Sequence, residues 1–188
     1  MGARHGLSFV LLAGIARQLL ATVSQRVVLL VAGAGVLGPG FLSELGNTMG
    51  DNLTAPFVLA ALYLLLRHWD RWSRWDAGAV PVLLCAGLAM GMGAGLKLTN
   101  VTYAVALCAA LLAVPLPWWQ RLRLALGFGI GVLGGIALTA GWWLLQMWQA
   151  FANPLFPQFN DLFHSPLATE NGVIDIYFRP HGWMENVL

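Results

Sequence analysis

Three polar stretches interrupt an otherwise apolar chain, and the groups they carry are those of acid–base and anion-binding chemistry. The first is Ser43-Glu44-Leu45-Gly46-Asn47-Thr48-Met49-Gly50-Asp51-Asn52, the second Lys97-Leu98-Thr99-Asn100, and the third Asn153-Pro154-Leu155-Phe156-Pro157-Gln158-Phe159-Asn160. Lys97 stands between two apolar runs. An ionisable group at that depth is costly and marks a functional site by default; its ammonium suits an anionic headgroup or phosphate, which lysine meets as a point charge. The structural alternative is that its stem reaches along the apolar surface to the interface. Glu44 and Asp51 are seven residues apart, a spacing that shares one face if the stretch is helical. Each carboxylate has three readings: a general base, an oxygen ligand for a divalent cation, or a solvated surface group. No cofactor is fixed by these residues, and a divalent cation is among the readings they leave open.

The elements that must position these groups are hydrophobic helices. Of the 188 residues, 59% are hydrophobic and only 10% charged, and mean hydropathy is +0.71. Soluble domains carry about 25% charged residues, so this chain lacks the polar atoms to cover a water-facing surface. The expected fold is all-α, a polytopic transmembrane bundle of about five or six spans over residues 1–148, since a span needs roughly 20 apolar residues. The spans are expected at Leu7–Thr22, Val27–Leu42, Leu53–Leu66, Ala77–Ala94, Val101–Leu116 and Leu124–Trp148. Gly38-Pro39-Gly40 should loosen the second, and Arg17 lies inside the first. Residues 149–188 turn polar and hold Pro154, Pro157, Pro166 and Pro180, which predicts an extramembrane segment of loops and short helices.

Orientation follows from the basic residues, because short loops rich in Lys and Arg stay in the cytoplasm. Placing Arg26, the loop Arg67–Asp76 and the turn with Arg121 and Arg123 inside leaves Arg4, Lys97 and Arg179 outside. Most carboxylates then fall outside too: Glu44, Asp51, Asp161, Glu170, Asp175 and Glu185. The three polar stretches accordingly share the outer face, and the third is an outer-face, periplasmic segment. Trp69, Trp72, Trp75, Trp118, Trp119, Trp142, Trp143 and Trp148 lie near helix ends, as in an interfacial aromatic belt. Gly87, Gly91, Gly93 and Gly95, with Gly127, Gly129, Gly131, Gly134 and Gly135, form small-residue faces through which membrane helices approach closely.

Other chemistry is set aside. Cys85 and Cys108 sit in apolar runs as small hydrophobes, and His164 and His181 lack zinc spacing. Ten basic residues scattered over several loops make no nucleic-acid patch. Arg17 and Gln18 break the N-terminal apolar run, against a signal peptide. Asn52-Leu53-Thr54 and Asn100-Val101-Thr102 match the glycosylation pattern, but both threonines open helices.

The stretches FLSELGNTMGDNLTAPFVLAALYLLLR, GLAMGMGAGLKLTNVTYAVALCAALL and ANPLFPQFND resemble the central portion of bacterial multi-span glycosyltransferases of the GT-C superfamily, of the kind that uses polyprenyl-phosphate sugars. The likeness covers most of the chain through short motifs. It implies a membrane enzyme of the bacterial inner membrane that passes a sugar from a polyprenyl phosphate carrier to an acceptor at the outer face. In that picture Lys97, in a pattern similar to the family's GlxxGxKxT turn, contacts the lipid phosphate. Glu44 and Asp51 are the catalytic carboxylates beside the sugar, and Asn153, Pro154, Phe156 and Pro157 shape the mouth of the site. Family members place an essential carboxylate in an earlier outer loop and continue beyond the matching region, so the chain is expected to be an internal piece, a truncated reading frame or a shortened relative. The alternative is a non-catalytic membrane subunit that binds or moves a lipid-linked substrate.

Overall fold

The computed structural model describes residues 2–43, 50–74, 78 and 80–168. Among these, all regular structure is helical: α1 (Gly2–Leu19), α2 (Gln25–Val36), α3 (Pro39–Ser43), α4 (Asp51–Arg67), α5 (Trp69–Ser73), α6 (Val80–Leu96), a 3-10 turn (Leu98–Asn100), α7 (Val101–Leu112), α8 (Trp118–Phe151) and α9 (Asn160–Phe163). Two compact units divide at Ala140 and Gly141, inside α8.

Element ends follow local chemistry. Proline is tolerated at the first helical position, where its missing N–H is unneeded, and Pro39 opens α3 there. Gly50 takes a left-handed φ of 78°, the conformation glycine adopts without a Cβ penalty, and so turns the chain into α4 at Asp51. The fifth expected span is shorter than its apolar run: α7 stops at Leu112, not Leu116, because Pro115 disfavours a helical Val114 and offers no N–H. Arg121 then clasps the turn, donating from Nε to Leu116 O at 2.5 Å and from a guanidinium nitrogen to Leu112 O at 3.3 Å. The sixth helix is longer than its apolar run at both ends.

In the first unit, α1 packs on α2 and α4, and α4 on α6, which also meets the 3-10 turn and α7. Ala61, Leu65, Leu83, Met90 and Phe128 fill the core. Trp72 belongs with them. Its sequence position suggests an interfacial ring, yet it is 1% exposed, and its Nε1 donates to Leu65 O at 2.9 Å. Short α5 folds this indole back onto α4, where its N–H finds a carbonyl, as buried tryptophans require. Trp69, Trp118, Trp119, Trp142, Trp143 and Trp148 are exposed.

The glycine faces become backbone contacts. A Cβ on Gly87 would strike Phe128 O and the Cα of Gly131; on Gly91, the backbone of Val132; on Gly135, Leu88 O and Met92 N. The pairings rise together along both helices, with Gly95 meeting Thr139, so α6 and α8 run parallel and share a seam with a period of four residues. Gly93 faces the other way, against Phe57 of α4. One helix thus holds two neighbours at close range, and its C-terminal end delivers Lys97.

In the second unit, α8 ends at Phe151 and Ala152 adopts a left-handed turn. Residues 153–168 form two small closed loops around α9.

Candidate functional site

Lys97 leaves α6 in an extended conformation (φ −147°, ψ 112°), which swings its side chain out of the helical path toward α4. Its Nζ lies 2.5 Å from Oδ1 of Asp51, the first residue of α4. A carboxylate is stabilised at that end of a helix. The two side chains are 25% and 50% exposed, so the pair sits at a rim.

The supports of this rim are short-range. The side-chain amide of Asn100, itself buried, donates to Gly93 O at 3.0 Å, while its backbone N–H donates to Lys97 O at 3.0 Å. The 3-10 turn is thereby tied back to the end of α6. Thr102 Oγ1 donates to Thr99 O at 2.9 Å, and buried Thr54 donates to Asp51 O at 3.3 Å. Gly93, with no side chain, lets Phe57 and the Thr54 carbonyl close in from α4. Asn100→Ala removes one of two donors to the Gly93 carbonyl, the Lys97 N–H remaining at 3.1 Å, and so loses a net hydrogen bond of about 0.5–1.5 kcal/mol. A lowered midpoint of thermal unfolding is expected, with Thr102→Val closer to wild type because Thr102 is exposed.

Beneath the ion pair lies a cavity of about 700 Å³. Asp51, Asn52, Lys97, Thr99, Asn100 and Thr102 give it a polar end, and Leu12, Ala55, Val58 and Leu59 an apolar wall, with Tyr103 alongside. A volume of this size falls within the range of small-molecule sites, which are apolar with a few convergent polar groups. The arrangement suits an amphiphile: an anion at Lys97 and a hydrocarbon chain along the wall.

No family model, curated protein or solved structure matches the chain.

The first and second polar stretches therefore meet in space, through Asp51 and Asn52 on one side and Lys97, Thr99 and Asn100 on the other. Glu44 lies outside the described residues. Asn153, Pro154, Phe156 and Pro157 belong to the second unit. Asn153 is fully buried and spends its amide locally, Nδ2 donating to Gln158 O and Oδ1 accepting from Leu155 N, both at 2.9 Å. Phe156 stacks on Phe151 at 4.2 Å between ring centroids. No group of three or more His, Cys, Asp or Glu residues that could hold a metal occurs among the described residues. Among the described residues Asp51 is the one carboxylate lining the cavity, and it is paired with Lys97. Tyr103 and Leu12 were not legible as site residues. Tyr103 lies one helical turn beyond Asn100, a weak signal, and Leu12 reaches the cavity only through the packing of α1 on α4.

Proposed function

We propose that the chain is a multi-span helical bundle of a bacterial inner membrane, and that its cavity receives a polyprenyl-phosphate sugar from which the sugar passes to an acceptor, as in GT-C glycosyltransferases. The membrane reading is supported by α8. Its 34 residues exceed the roughly 20 needed to span, and only 33% of its apolar window is buried, whereas the core helix of a soluble protein is mostly buried. Ile130, Leu133 and Leu138 on α8, Leu30 on α2 and Val105 on α7 all stand open, and lipid is the solvent that suits them. By length alone α1, α4 and α6, at 17 or 18 residues, reach the lower limit for a span; among the described residues α8 is the one helix both long and apolar enough.

The glycosyltransferase reading is carried by one observation, the Lys97–Asp51 pair at the mouth of an apolar cavity, in a segment that resembles the family's lysine turn. In the reaction, an acceptor hydroxyl attacks the anomeric carbon as the bond from that carbon to the phosphate oxygen breaks with inversion. The bonding electrons leave with the lipid phosphate, and the acceptor proton goes to a carboxylate. Lys97 neutralises the departing phosphate, where preorganised charge is worth most. A phosphate competing for that ammonium loosens Asp51, and the freed carboxylate is available to take the proton, the role that the resemblance also gives to Glu44.

The second reading is a non-catalytic subunit that holds a lipid-linked substrate, and it is favoured by the pairing itself, since Asp51 is engaged by Lys97. One experiment separates the two. The protein, reconstituted in liposomes with a radiolabelled polyprenyl-phosphate sugar, is expected to release free polyprenyl phosphate and a labelled acceptor. Saturable retention of uncleaved donor would select the binding subunit, and neither outcome would reject both readings.

A further inference from the structure

Among its described residues the second unit buries several polar side chains and exposes several apolar ones. A hydrated loop turns polar side chains to water and hides apolar ones. Here Asn153, Asn160 and Ser165 are buried, at 2% exposure or less, while Phe159, Leu162 and Leu167 are 58–73% exposed. The buried amides hold the loop together from within. Asn160 Nδ2 donates to Ser165 O at 3.1 Å and to Ala168 O at 3.0 Å, and Oδ1 accepts from Ser165 N at 2.8 Å. Asn153 closes the preceding turn in the same way. Backbone groups satisfied internally are what a segment needs to tolerate a surrounding poor in water.

The height of this hook follows from the end of α8 in the same unit. Trp142 is exposed, as interfacial tryptophans are. Trp148 is about 9 Å further on, at headgroup level. The ring of Phe163 meets it edge-on at 6.1 Å, which brings α9 back to that depth instead of letting it run on into water.

We infer that the hook formed by the end of α8, the Asn153–Phe159 turn and α9 is seated in the headgroup layer of the bilayer, with Phe159, Leu162 and Leu167 turned to lipid. The inference rests on the membrane reading but not on sugar transfer. With one acidic side chain on α9, Asp161, and no Lys or Arg within residues 149–168, the surface fits zwitterionic lipid through apolar insertion and not an anionic headgroup through charge.

The test is depth measurement in phosphatidylcholine liposomes. Single cysteines at Leu162, Leu167, Gln158 and Leu133, in a background with Cys85→Ser and Cys108→Ser, carry an environment-sensitive fluorophore quenched by spin-labelled lipids. Leu162 and Leu167 are expected to show blue-shifted emission, quenched more by a shallow acyl label than by a deep one. Gln158 is expected to report water, and Leu133, exposed near the middle of α8, the reverse depth preference. Leu133 in lipid with Leu162 and Leu167 in water overturns the hook alone. Blue-shifted emission without lipid quenching means that protein covers the face, which also overturns it. Leu133 in water overturns the membrane reading and the hook together.

Discussion

Lys97→Ala is expected to lower sugar transfer by about 10²–10³ while leaving the fold intact. The first magnitude is that of removing one preorganised group that stabilises charge developing in a transition state. The second comes from the setting of the ion pair. With side chains 25% and 50% exposed, the Lys97–Asp51 bridge contributes about 0–1 kcal/mol to stability, because solvent screens it and two flexible side chains lose freedom in forming it. Activity lost on such a scale cannot then be a folding effect. Lys97→Arg should recover only part of the rate, since a planar fork does not place its charge where a compact ammonium does. Asp51→Asn separates roles further. If Asp51 accepts the acceptor's proton, kcat falls while donor KM stays level or improves, because Lys97 is released from its partner. If Lys97 serves only to hold Asp51, then Lys97→Ala, Asp51→Ala and the double variant lose the same amount, and the phosphate role is rejected. Initial rates against donor concentration, with circular dichroism of each variant, make the comparison.

The reason such a test can be written is that two residues 46 positions apart meet. Nothing local in the sequence joins them. Lys97 was visible as an ammonium stranded between apolar runs, and Asp51 as one of two carboxylates in a polar stretch, but their pairing depends on the way α4 and α6 pack. The helices themselves were legible, since long apolar runs punctuated by glycine, proline and charge have few other solutions. Their ends were read less well where a proline sits inside the apolar run, as Pro115 does beyond α7. Trp72 was misread for the same kind of reason. Its place next to charged residues suggests an interface, but α5, too short to register in the apolar pattern, carries it into the core. The Asn-Pro turn was legible as a turn. That Asn153 is consumed in closing it could be seen only once the carbonyl of Gln158 and the N–H of Leu155 had positions.

Gly91→Ala should be among the most damaging single-methyl changes in the protein, and Gly129→Ala among the mildest. In an isolated helix both would be favourable, because alanine exceeds glycine in helix propensity by about 0.8–1.0 kcal/mol. Packing decides the sign. The added Cβ of residue 91 would lie on the backbone of Val132, which no rotamer change can relieve, so α6 and α8 must separate along their seam. Overpacking of this kind costs about 1–3 kcal/mol and sometimes more, which outweighs the propensity gain. At Gly129 nothing lies within 4 Å of the added atom, and the gain stands alone. In lipid the contrast should widen, since helix association there depends on close contact more than on hydrophobic drive. The seam also sets the position of the site. Lys97 follows directly on α6, its backbone N–H bonded to Gly93 O at 3.1 Å, so a displaced α6 carries the ammonium away from Asp51. Gly91→Ala is therefore expected to lower both the midpoint of thermal unfolding in detergent and the rate of transfer, whereas Gly129→Ala raises the first slightly and leaves the second unchanged. Equal midpoints for the two variants would mean that the α6–α8 seam does not hold the bundle together.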